Sequence, residues 1–227
     1  MWQELRSELH PRGLEIVTVA LESGGADLAR PWIEAVHPEH PALVDAGHVC
    51  DELFGIVNVP SGVWIDETGT IVRPPETAYP RRPAFLDRAV PEDATPRQRE
   101  AIEVTRRLHV DAETYVAALR DWVEHGARSR FALLPDEVVR RSRPRPREHG
   151  EAAAHFALGL ALRDRGEGDR AAAHFREAHR LHPANWTYKR QAWAIAGSER
   201  DRIYGTDWLT EVKRMGGPEE YYPALEM

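Results

Sequence analysis

Cys50 is the one thiol in the 227 residues, so it is the sole candidate catalytic nucleophile of the sulfur type, and neither a disulfide nor a Cys-x-x-Cys pair can form within the chain. His48 stands two positions earlier. On a helix, residues two apart point to different sides, so this imidazole is poorly placed to take the thiol proton. Val49, Leu53 and Phe54 read as the core-facing part of the same short helix, with Cys50 three before Leu53 on the neighbouring part of that face. The expectation is a buried, protonated and inert thiol.

Other chemistry-bearing residues are numerous but badly spaced for catalysis. Eleven histidines occur, with His37, His40 and His48 near Cys50 and His174, His179 and His182 farther on. Neither group reproduces His-Glu-x-x-His or paired Cys-x-x-Cys spacing, so they read as surface or helix-end histidines, and no metal or other cofactor is implied. No Gly-x-Gly-x-x-Gly, Gly-x-x-x-x-Gly-Lys or Gly-x-Ser-x-Gly occurs, which leaves nucleotide and serine-hydrolase chemistry without support. The C-terminal third is aromatic. Trp186, Lys189, Arg190 and Trp193 are candidate partner-binding anchors, set against the reading in which these aromatics dock a small helical domain.

The elements that would position a site centre on Asn58-Val59-Pro60-Ser61-Gly62-Val63-Trp64-Ile65-Asp66-Glu67-Thr68-Gly69-Thr70-Ile71-Val72. Two apolar runs flank Asp66 to Gly69, so the stretch predicts an antiparallel hairpin with Gly69 at the positive-φ position. Pro60 fits a strand entrance, where it leaves the preceding backbone free to face a ligand.

Phe54-Gly55-Ile56, Asn58-Val59-Pro60, Val63-Trp64-Ile65-Asp66 and Gly69-Thr70-Ile71 together resemble a run found in redoxins. These are thioredoxin-like proteins that include thiol:disulfide oxidoreductases and the alkyl hydroperoxide reductase/thiol-specific antioxidant superfamily. The resemblance implies an α/β domain with a mixed sheet flanked by helices, a cis proline at Pro60, and a substrate or peptide groove at Val59, Pro60 and Ser61. It also implies thiol-disulfide or peroxide redox function, for which this chain lacks the cysteine pair. The family's thiols follow its first, central strand. Cys50 does not match them and inherits no role.

In chain order, Trp2, Leu5 and Leu9 predict a helix ended by His10-Pro11-Arg12-Gly13, and Leu14 to Leu21 a strand covered on both faces. Leu28, Trp32, Ile33 and Val36 give the next helix a buried stripe, and Ala42 to Asp45 a short strand. This order is that of a thioredoxin-like domain without its beginning. A reading frame starting upstream of Met1, or an element from elsewhere, is expected to supply the missing strand.

Residues 73–110 read as an irregular, proline-rich cover segment of the 1–125 domain, pinned by Phe85 and Leu86, before a helix capped by Asp111 and ended by Gly126. Residues 126–150, with the basic run Arg140 to Arg147, read as a solvated linker. Within 151–227, Leu158, Gly159, Leu162, Gly166, Ala171, Phe175, Ala178 and Pro183 resemble one tetratricopeptide repeat, which implies a small all-α domain.

A hydrophobic content of 42% and a charged content of 30% suit an ordinary globular chain, and a net charge of -7 argues against nucleic-acid partners. No long apolar run or leader is visible, so the expectation is a cytoplasmic protein without membrane contact. Two functions from different classes follow: redox chemistry implied by the resemblance, or a non-catalytic interaction module using the Pro60 groove and the helical repeat. Protein or peptide partners, or a second copy of the chain, suit the latter.

Overall fold

The computed structural model describes residues 2–142 and 145–227. Met1, Arg143 and Pro144 lie outside these described residues, so what was read into the place of Met1, and the middle of the basic run, lie outside them too. The chain begins with α1 (Trp2–Leu9), β1 (Thr18–Ala20), α2 (Ala26–Glu34), β2 (Ala42–Val44) and α3 (Val49–Phe54), followed by the hairpin β3 (Ser61–Ile65) and β4 (Ile71–Thr77). Helices follow: α4 (Pro96–Arg106), α5 (Ala112–His125), α6 (Pro135–Ser142), α7 (Arg147–Asp164), α8 (Gly168–Leu181) and α9 (Trp186–Ala196). Three short ones close the chain: α10 (Arg200–Tyr204), α11 (Trp208–Arg214) and α12 (Pro218–Tyr221).

The expected mixed sheet does not form. β1 pairs only with β2, in parallel, and β3 pairs only with β4, antiparallel, so the described residues hold two separate two-stranded sheets in a mostly helical chain. The physical reason is that no described strand lies between β1 and β3. Ladders extend only by backbone pairing, so each strand keeps a single hydrogen-bonded neighbour and β1 shrinks to three residues.

Two amphipathic readings are also corrected. Leu28 and Trp32 on α2 and Val36 in the turn after it are exposed, Trp32 by 80%, and Ala29 is the buried position instead. On α3, Val49 and Leu53 face outward while Asp51 is buried, so the apolar residues do not mark the core side. In both helices hydrogen-bonded polar or small residues take the inner face, and the larger apolar side chains are left on the outer one.

Much of the rest follows local rules. Asp66 Oδ1 accepts from the amides of Thr68 and Thr70, and Gly69 takes φ 84°, which closes the hairpin turn. Asp111 caps α5 by accepting from the Thr114 amide, and Asn185 caps α9 by accepting from that of Tyr188. The 73–110 segment is more regular than its prolines suggest. β4 runs through Pro74-Pro75 to Thr77, and Thr95 opens α4 with a reciprocal Gln98 capping box. Leu86 is buried there, whereas Phe85 is exposed. The stretch read as linker contains α6, which packs along β4, and the Leu133 amide donates to the Val72 carbonyl beside it.

Three apolar clusters are threaded on shared helices. The first joins Leu5, Leu9, Trp64, Tyr115 and Leu119; the second joins Tyr79, Leu86, Trp186, Val212, Tyr221 and Tyr222. The third fills the α7–α8 hairpin around Phe156 and Phe175, with Tyr188 of α9 packed against them. Gly159 is required in that hairpin, because a Cβ there would sit 2.6 Å from the Phe175 ring. No helix of the described residues is long and apolar enough to cross a membrane.

Candidate functional site

The segment entering β3 is fastened to the end of the chain. Asn58 Nδ2 donates to the Tyr221 carbonyl at 2.9 Å, and its Oδ1 accepts from the Val59 amide at 2.9 Å. The Val59–Pro60 peptide is cis. The Tyr222 hydroxyl donates to the Val59 carbonyl at 2.9 Å and accepts from Tyr79 at 3.0 Å. Burial pushes the Tyr79 phenol upward, and the neighbouring Tyr222 adds to it, so Tyr79 stays a hydrogen-bond donor to Tyr222. The Pro60 carbonyl accepts from Ala78, and the Ser61 hydroxyl donates to the Glu76 carbonyl at 3.1 Å.

Beside this segment lies a cavity of about 250 Å³. Pro60 and Ser61, Pro74, Pro75 and Thr77, Arg73, Arg140 and Arg141, and the 223–226 segment are among the residues that line it. Val59 is not among its lining residues; its carbonyl is taken by Tyr222. Arg73 is 1% exposed and uses three directions: Nε donates to Glu76 Oε1 at 2.5 Å, Nη1 to the Phe131 carbonyl at 3.0 Å, and Nη2 to the Glu226 carbonyl at 2.7 Å. Its guanidinium also lies 5.5 Å from the centre of the Trp64 ring. Burial pushes the Glu76 carboxyl up, and Arg73 opposes that shift. Arg141 reaches the same Glu226 carbonyl at 2.6 Å while held by Glu137.

No protein-family model, no curated protein and no solved structure matches this chain. Function is therefore read from the geometry itself.

The other sequence candidates are placed elsewhere. Trp186 and Trp193 are buried in the second cluster, and Lys189 is buried over the Trp186 ring with its ammonium 2.8 Å from Glu211. Arg190 stacks on Tyr221. These four do not form an exposed anchor set; they dock α9 against the closing helices, with the two indole rings buried in the apolar cluster and the lysine paired. Cys50 is only partly buried, and its thiol is pushed up by desolvation first and then by the Asp45 carboxylate beside it. Among the described residues, no group of three or more His, Cys, Asp or Glu is placed to hold a metal ion.

His48 is where sequence reading misses most. It takes φ 57° at the start of α3, its Nδ1 lies 2.8 Å from Asp51 Oδ2, and its Nε2 lies 3.2 Å from Ser23 Oγ. Thr187 of α9 donates to the same Asp51 oxygen at 2.7 Å. The order Ser, His, Asp is that of a nucleophile, a base and its orienting group. Yet Ser23, His48 and Asp51 are 4%, 3% and 2% exposed, and none lines the cavity. Around them, Ser23 donates its amide to Gln191, and Gln191 donates to the Leu21 carbonyl. The array is a polar joint between the β1–α2 loop, α3 and α9, with each buried group satisfied by another.

Arg73, Arg141 and Tyr222 also escape the sequence reading. Arg73 falls in a stretch read as irregular cover, Arg141 in one read as linker, and the contacts of both span long separations that no local pattern encodes.

Proposed function

We propose that the chain is a non-catalytic protein-interaction module whose groove beside Pro60 and Ser61 takes an extended peptide from a protein partner. The observation that carries the reading is Arg73. Its guanidinium is buried, lines the cavity, and donates from Nη2 to the main-chain carbonyl of Glu226 at 2.7 Å. Losing that acceptor would leave a buried donor unmet, so a ligand that takes the place of the Glu226 carbonyl must bring a carbonyl of its own, and extended backbone does so. Apolar walls at Pro60, Pro74 and Pro75 suit the side chains of such a segment.

Redox function of the type implied by the redoxin resemblance would need a cysteine pair. This chain holds one thiol, and its surroundings disfavour the thiolate. Binding needs none.

The test is selection of a random-peptide phage library against the chain. Selected peptides are expected to lose at least tenfold in affinity for Ser61→Trp, which places an indole in the cavity and keeps Arg73 in the chain. Peptides that bind both forms equally, or a library that yields no binders, would overturn the reading.

A further inference from the structure

The groove is already partly occupied by the chain itself. After α12, Tyr222 ties to the Val59 carbonyl, and Pro223, Ala224, Leu225 and Glu226 line the cavity. The Glu226 carbonyl receives two guanidinium donors, from Arg73 at 2.7 Å and from Arg141 at 2.6 Å, and the Glu226 carboxylate lies 3.7 Å from Arg141. One residue earlier, Leu225 packs on the first apolar cluster. These contacts have the form of peptide recognition: one main-chain acceptor met by two fixed donors, one apolar side chain seated, one acidic side chain facing a cation. The segment is irregular and contributes no helix or strand pairing of its own, so it is held by side-chain packing and by the guanidinium donors of the groove.

We infer that residues 223–226 are a resident ligand of the groove, and that the partner peptide is of the same class: an extended segment with an apolar residue followed by an acidic one. The inference rests on the peptide-binding reading and adds that the partner must displace the chain's own segment. Displacement is energetically symmetrical, since the incoming backbone takes over the carbonyl position that Arg73 and Arg141 require. The tether sets the strength of self-occupancy. A short tether gives an effective concentration on the order of 1 mM, so a free peptide of intrinsic Kd on the order of 100 μM meets about tenfold competition.

The experiment measures fluorescence polarisation of a fluorescein-labelled peptide copying residues 223–227, titrated with the full chain and with a chain ended at Tyr222. A peptide of the same residues in scrambled order is run beside it. The expected result is about tenfold tighter binding to the shortened chain, with the scrambled peptide bound poorly by both. Equal affinity for the two chains, no binding to a folded shortened chain, or equal binding of the scrambled peptide would overturn the inference. If circular dichroism shows that the shortened chain has lost its helices, full-length Leu225→Ser/Glu226→Ala takes its place and is expected to show the same gain; no gain there is refutation. Library peptides that bind at the groove regardless of residues 223–227 would leave the interaction reading standing while this inference falls. A library that yields no binders, together with no binding of the chain's own peptide, would take both down.

Discussion

Replacing Arg73 by Met should destabilise the chain in a way that grows with pH. The side chain is 1% exposed and its partner Glu76 is largely covered, so the substitution strands a carboxylate and two carbonyls that Arg73 now satisfies. Breaking a buried pair by removing one partner costs about 3–5 kcal/mol, of which the lost carbonyl contacts account for roughly 1–2 kcal/mol. Glu76 sets the pH dependence. Its folded pKa is already raised above 4.5, chiefly by burial and against the pull of Arg73. A raised folded pKa gives stability that is present below the unfolded value and lost as pH rises through the folded one. Without Arg73 the folded value climbs further, so the loss extends to higher pH. The penalty should therefore be near 1–2 kcal/mol at pH 4 and about 3–5 kcal/mol at pH 8. Urea unfolding followed by tryptophan fluorescence measures both, and Arg73→Met/Glu76→Gln should recover most of the pH-dependent part. A penalty that stays constant from pH 4 to 8, or one below about 0.5 kcal/mol, would refute this account of the groove's electrostatics.

Three further outcomes are expected. His182 stacks on His149 at 3.5 Å and is pushed down to about 4, chiefly by burial, so its contribution is intact above about 6.5 and lost as pH falls toward 4; His182→Gln should flatten the decline in melting temperature between pH 7 and 5. Gly159→Ala forces a methyl into the Phe175 ring and should cost about 1–3 kcal/mol by urea unfolding, with Phe175→Leu in the same chain restoring part of it. Asp45→Asn removes the carboxylate that helps hold the Cys50 thiol protonated, so native maleimide labelling at pH 7.5 should speed up several-fold, whereas unchanged labelling would show that exposure alone controls this thiol.

What the sequence made legible was local. The Asp66–Gly69 turn, the Asp111 cap with its Gly126 stop, and the close pairing at Gly159 each depend on residues within one turn or one hairpin, and each appears in the structure. The sheet was not legible, because β1 and β3 look like neighbours in sequence pattern but have no described strand to join them. Apolar spacing also misled on α2 and α3. Trp32 and Leu53 sit at helical intervals appropriate to burial, yet the inner face of α3 is held by Asp51 in bonds to His48 and Thr187, the latter 136 residues away. At the site, Pro60 and Ser61 were readable from the hairpin entrance. Arg73, Arg141 and the 223–226 segment were not, since their meeting is a property of the folded chain and their own surroundings in sequence resemble cover and linker.

The central claim is that the cavity beside Pro60 binds extended peptide, and its most direct test is an NMR titration of the 15N-labelled full chain with the tightest library peptide. The account predicts that amide shifts concentrate at Asn58, Ser61, Thr77 and Arg141 around the cavity, and that Leu225 and Glu226 move toward the values of a free segment. Shifts centred instead on the exposed Leu28 and Trp32 face of α2 or on the α7–α8 hairpin, with Ser61 and Arg141 unmoved, would contradict it.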